Sequence, residues 1–85
     1  MENSFISIGH GNVVSAGRIL VINIPDSAPI KRDMAEFRNV GRLIDCTRGR
    51  KTRALIYLDN GTAVASAMLP ETLATRFVGR GKKDV

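Results

Sequence analysis

Asp59-Asn60-Gly61 divides two apolar, β-prone runs, residues 54–58 and 62–68. Asn-Gly is among the strongest short-range hairpin signals, because both residues tolerate the positive φ that a tight turn imposes. The chain must fold back on itself here, and everything else has to pack against an antiparallel pair. The strand Leu55-Ile56-Tyr57-Leu58 does not alternate with polar residues, and neither does Ile19-Leu20-Val21-Ile22. Strands of this kind want cover on both faces. Two short helices cover about one face of a small sheet, so the second face is expected to pack on another subunit and the chain to form a homo-oligomer.

The remaining elements follow from punctuation and periodicity. A first strand is predicted over 5–8, ended by Gly9-His10-Gly11-Asn12; Val13 and Val14 resume it, Ser15-Ala16-Gly17-Arg18 bends, and a strand over 19–24 stops at Pro25. Ser27 as N-cap, Pro29 in the first turn, and Ile30, Met34 and Phe37 at i, i+4 and i+7 predict an amphipathic helix closed near Gly41. Leu43 and Ile44 read as a short strand. Pro70 and Glu71 open a final short helix, with Leu73 and Phe77 on one face and Gly79 at its end. The expected architecture is α+β, a small antiparallel β-sheet with two helices, in one domain over 1–79 followed by a flexible basic tail over 80–85.

Eighty-five residues allow one small core. The sequence pI near 10.2 gives a positive surface, which suits nucleic acid, an anionic membrane surface or an acidic protein partner. Cys46 is the single cysteine, so no intramolecular disulfide or thiolate-rich metal site can form, and a reducing, cytoplasmic setting is the natural reading. No apolar stretch is long enough to span a membrane.

Within residues 42–53 the chain places Arg42, Arg48, Arg50, Lys51 and Arg53 against one acid, Asp45, so most of the formal net charge of +5 sits in one segment. Gly49 lets the backbone turn and Thr52 adds a hydroxyl. Such a loop can hold cations and backbone N–H groups toward phosphates. A solvated loop that only maintains solubility is the bland alternative. Against it, arginine outnumbers lysine, and guanidinium groups match phosphate oxygens bidentately. Arg48, Arg50 and Thr52 share one side if the chain is extended. Arg18, which interrupts an apolar stretch, is expected either exposed beside this cluster or paired with Asp45 or Asp26. Lys31 and Arg32 sit in the first turn of the first helix, where the helix dipole disfavours them.

Catalytic chemistry is scarce. His10 is the only histidine, Cys46 reads as a small buried hydrophobe, and Gly9-His10-Gly11 reads as a turn because the third glycine of a dinucleotide motif is absent. The phenylalanines occupy core-like positions, so no platform for stacking single-stranded bases is expected, and double-stranded DNA fits better than RNA.

Several blocks, in order and spacing, resemble the RemA family of small bacterial regulators of extracellular-matrix production and biofilm formation: Phe5-Ile6-Ser7-Ile8-Gly9-His10-Gly11-Asn12, Ser15-Ala16-Gly17-Arg18, Pro25-Asp26-Ser27-Ala28-Pro29-Ile30-Lys31-Arg32, Leu43-Ile44-Asp45-Cys46-Thr47, Gly49-Arg50-Lys51-Thr52-Arg53, Ser66-Ala67 and Pro70-Glu71-Thr72. The resemblance covers residues 5–77. It implies a DNA-binding transcriptional regulator whose subunits close into a ring, an octamer. It points to Arg18, Arg50 and Lys51 as DNA-contacting residues, with Arg53 and Arg32 beside them and Pro29 as a structural residue of the helix start. The chain departs from the family pattern at His10, Gly17, Cys46 and Arg48, where an aromatic, asparagine, alanine and tyrosine are frequent, and at Val40-Gly41-Arg42. Arg48 and Arg42 therefore bear on the DNA surface and on target choice.

The expected function is that of a ring-forming regulator that binds double-stranded DNA through Arg18, Arg32, Arg48, Arg50, Lys51 and Arg53. No catalytic set, cofactor, metal or small-molecule ligand is indicated. The alternative is an oligomeric scaffold whose basic loop recognises acidic protein surfaces.

Overall fold

The computed structural model describes residues 5–82, with side chains up to Arg76. Strands β1 (Phe5–Gly9) and β2 (Asn12–Ser15) form an antiparallel hairpin. Its turn takes positive φ at Gly9, His10 and Gly11, and Asn12 Nδ2 donates to the Gly9 carbonyl at 3.1 Å. A 3-10 turn, Ala16–Arg18, redirects the chain into β3 (Ile19–Asn23). Helix α1 (Ala28–Asn39) follows, then β4 (Leu43–Asp45), β5 (Ala54–Leu58), β6 (Ala63–Ser66) and α2 (Pro70–Lys82).

The α1 boundaries are those the sequence signals. The Ser27 hydroxyl accepts from the Ile30 N–H at 3.5 Å. At the other end Gly41 takes φ 74°, while Gly41 N donates to Arg38 O and Arg42 N to Phe37 O at 3.1 and 2.8 Å, the paired bonds of a Schellman motif. Helix α2 differs from expectation. It runs past Gly79 and Gly81 to Lys82, because a glycine costs a helix interior about 1 kcal/mol without forbidding it. The Phe77 side chain and the end of the expected tail, 83–85, lie outside the described residues.

The α+β architecture is as expected, with two refinements. The strands form a two-stranded ladder, β1-β2, and a four-stranded sheet ordered β3-β5-β6-β4. In that sheet β4 runs parallel to β6, pairing Leu43 with Ala63 and Asp45 with Ala65. The sheet is mixed because α1 carries the chain from one edge to the other and returns it in the direction of β3.

Both faces of the central strands are covered within one subunit, so, contrary to expectation, the second face does not need another subunit to cover it. On one face Ile56 and Val64 pack with Ile8 and Val14 of the hairpin and Leu73 of α2. On the other, Leu55, Ala63 and Ala65 are fully buried under α1, whose Phe37 ring meets the Tyr57 ring edge-on at 5.8 Å. Helix α1 itself buries no residue completely, so its stripe of Ile30, Met34 and Phe37 is only half covered. Phe5, expected in the core, is 55% exposed. The hairpin is fastened from below by Ser66, a fully buried hydroxyl that donates to Ile8 O at 2.8 Å and accepts from Met68 N at 3.1 Å.

Candidate nucleic-acid interface

The loop over 46–53 joins the edge strand β4 to the central strand β5. Both of its ends are pinned to consecutive carbonyls of β6: Cys46 N donates to Ala65 O at 2.9 Å and Arg53 N to Ser66 O at 2.8 Å. Between these anchors Asp45 organises the backbone. Its Oδ1 accepts from the Thr47 N–H at 2.9 Å and from the Thr47 hydroxyl at 2.6 Å, and Thr47 is buried. Those two bonds, helped by the Arg38 charge, hold the Asp45 carboxyl below its ordinary range despite some desolvation. Thr47 O then accepts from Arg50 N at 3.0 Å, closing a tight turn whose central residues Arg48 and Gly49 have φ 57° and 81°. Positive φ at both positions is the pattern of a type I′ turn.

The loop is thus shaped from inside by Asp45 and Thr47, and its charges face outward. Arg48, Arg50, Lys51 and Arg53 are all exposed. None of them has a carboxylate partner among the described residues. The one acid of the segment is committed to the turn, which leaves the cations available to a ligand. Thr52 is half-buried, and the turn at 47–50 replaces the extended stretch on which Arg48, Arg50 and Thr52 would have shared a side.

Arg18 is elsewhere. Its Nη1 lies 3.3 Å from Asp59 Oδ1, so its acidic partner is Asp59 rather than Asp45 or Asp26, and its place is not beside the loop. Ile19 pairs with Leu58 at one end of β5, whereas the loop enters at Ala54, and five residues of strand span about 17 Å. Arg42 also belongs to the far end, its Nη1 donating to Asn60 O at 3.3 Å. Arg32, by contrast, belongs to the same end of the sheet as the loop: α1 starts just beyond Asn23, which pairs with Leu55, and Arg32 stands exposed in its early turns. One subunit therefore carries two basic ends, with Arg32, Arg48, Arg50, Lys51 and Arg53 at one and Arg18 and Arg42 at the other.

Sequence reasoning missed the shaping pair, although Asp-Cys-Thr carries its signal: an aspartate followed two residues later by a threonine can bond that residue's N–H and hydroxyl together. It also missed the left-handed backbone at Arg48, for which arginine gives no warning. Cys46 is half-buried against the core and its thiol pKa is raised, by burial first and by Asp45 second, which disfavours the thiolate form. His10 sits at an exposed turn, and among the described residues no group of side chains could hold a metal ion. No helix among them is long and apolar enough to cross a membrane.

This is a small α+β domain whose 46–53 loop is shaped by Asp45 and Thr47 and presents exposed cations. Comparison with known proteins gives that description a family. The chain belongs to the RemA-like family, described as extracellular matrix regulatory protein A-like, whose family model matches residues 5–77. It is 51% identical over 78 residues to a protein of Synechococcus, covering 92% of this chain and 88% of the relative. A Geobacillus kaustophilus protein is 51% identical over 79 residues, covering 93% and 91%, and one from Carboxydothermus hydrogenoformans is 55% identical over 77 residues, covering 91% and 88%. All three carry provisional names as regulatory proteins. The chain is a member of a family of regulators.

Proposed function

We propose that this regulator binds double-stranded DNA as a ring-shaped homo-oligomer, an octamer, and acts on transcription, with extracellular-matrix genes among its targets. The observation that carries the reading is the 46–53 loop: Asp45 is used up in shaping the turn, so four exposed cations stand free on a fixed backbone. A backbone already shaped by these bonds need not be ordered on meeting phosphates, so only the exposed side chains lose freedom there. Phosphate contacts of this kind bind a duplex without reading its bases directly, so sequence preference comes from the spacing of basic ends and from DNA shape.

A single subunit offers few such contacts. Repetition around a ring supplies the rest, because each further contact on one duplex forms at high effective concentration. The aromatic residues support duplex over single strand: Phe37 and Tyr57 are engaged with each other and are not laid out as a stacking surface.

The test is a fluorescence-anisotropy titration of a long duplex at low and near-physiological salt, on protein whose mass is measured in parallel. Tight, steeply salt-dependent binding by a discrete oligomer is the expected result. An oligomer indifferent to duplex at both salts would overturn DNA binding and turn the loop toward an acidic protein.

A further inference from the structure

We infer that the β3 edge and the groove beside it, between α1 and β5, form the contact face for a second copy of this chain. The inference rests on the reading of the protein as a homo-oligomer and says where the subunits meet.

Three observations converge on this face. First, among the described residues β3 is an edge strand, hydrogen-bonded only to β5, and its sequence Ile-Leu-Val-Ile-Asn holds neither charge nor proline. An edge of that kind invites another strand unless it is guarded. The opposite edge, β4, is three residues long and ends in Asp45. Second, the exposed aliphatic residues gather here. Leu20, at the register shift in β3, is 66% exposed, Val21 46% and Ile24 48%. Val21 pairs directly with Tyr57, which lines the groove, so the edge and the groove share that neighbour. Third, that groove, of about 600 Å³, is lined by Phe37, Tyr57 and Val40, the last 68% exposed.

Charge selects the occupant. The charged residues of the groove are Asp33 and Glu36 against Arg42, an acidic balance on a chain of net charge +5. Asp33 accepts from the Tyr57 hydroxyl at 3.1 Å, and Glu36 has no ion-pair partner among the described residues. Asp45 and Asp59, by comparison, are engaged within the subunit, with Thr47 and Arg18. With two acids to one arginine, this apolar face is acidic on a basic protein, so it complements another copy of that protein and disfavours duplex DNA. The arrangement also explains why α1 buries none of its residues completely within one subunit; its free flank is covered when the second copy is in place.

The experiment measures mass by light scattering on the full chain at micromolar concentration, for the wild type and for Val21→Lys, Leu20→Lys and Glu36→Lys. Val21, Leu20 and Glu36 are exposed in the single subunit, so their replacement leaves the fold intact, checked by circular dichroism. The wild type is expected at a multiple of 9.2 kDa, and each variant at half the wild-type mass or less. Variants that keep the wild-type mass would overturn this contact face while leaving the ring standing. Loss of mass in Ile44→Lys, on the opposite edge, but not in Val21→Lys would do the same. A wild type already at 9.2 kDa would overturn the ring reading itself.

Discussion

Arg18 and Asp59 are joined twice, by a backbone bond from Asp59 N to Arg18 O at 2.9 Å and by the guanidinium of Arg18 on the Asp59 carboxylate at 3.3 Å. The backbone bond needs neither side chain, so it survives substitution of either residue. The side-chain pair is open to water, with Arg18 65% exposed, and exposed pairs contribute less than about 1 kcal/mol. Asp59→Ala is therefore expected to leave the denaturant midpoint almost unchanged and, by freeing Arg18, to tighten DNA binding at low salt. Equal affinity for the variant and the wild type would show that Arg18 takes no part in the DNA surface.

Arg50 and Lys51 are predicted to act through charge alone. Arg50→Ala and Lys51→Ala should each weaken duplex binding at all sequences alike and lower the slope of log K against log salt by about one for each phosphate no longer neutralised. Subunit mass should stay at the wild-type value, because the loop lies away from the proposed contact face. A changed mass, or an unchanged salt slope, would contradict the assignment.

Arg48 combines a charge with a strained backbone. An L-residue other than glycine in the left-handed region costs about 1–2 kcal/mol, and Arg48 has φ 57°. Arg48→Gly should accordingly raise thermal stability while weakening DNA binding. Gly49→Ala should do the reverse to stability. The glycine has φ 81°, and a methyl group there would meet no atom within 4 Å, so the substitution costs conformational energy without a clash. Opposite shifts in melting temperature for these neighbouring substitutions are the expected pattern, and parallel shifts would argue against a type I′ turn.

How far the sequence disclosed this structure depended on how local each signal was. Gly61, Ser27 and Gly41 each announce a turn or cap through their own backbone chemistry and do what their residue types imply; Asn60 does not take the positive φ that Asn-Gly suggests, and its side chain instead accepts from the Thr62 N–H at 3.1 Å. The long-range features were not legible in the same way. Leu43-Ile44-Asp45 has no alternation that could reveal parallel pairing with β6, which depends on α1 crossing the whole sheet. Arg18 and the loop share a charge and nothing in the sequence separates their roles, yet β5 holds them apart by its full length. The loop's cations were visible from charge; that Asp45 would be spent on Thr47, rather than on an arginine, follows only from the fold.

Ser66 is expected to be the most sensitive polar position outside the loop. Its buried hydroxyl links Ile8 O to Met68 N, so Ser66→Ala strands both an acceptor and a donor. An unsatisfied buried group costs about 1–3 kcal/mol, and in a domain of this size each kcal/mol shifts the melting temperature by about 4–8 °C. A drop within the range these figures set, read by calorimetry, is the expected result. A shift under about one degree would mean that water takes over both bonds.

Asp45 should make the loop's stability depend on pH in one direction. Its carboxyl is held below the ordinary value of 3.8, chiefly by the Thr47 hydroxyl and then by the Thr47 N–H. A depressed carboxylate contributes stability that is fully present above its unfolded pKa and is lost as pH falls through the folded one. The contribution is thus constant from neutrality down to about pH 4 and disappears below it. Asp45→Asn keeps an acceptor for Thr47 and removes the charge, so it isolates this effect. Urea midpoints of wild type and variant should differ at neutral pH, and the gap should narrow at an acid pH well below the ordinary carboxylate range. A gap of the same size at both pH values would mean that the charge on Asp45 adds nothing, and that the turn is held by its hydrogen-bond geometry alone.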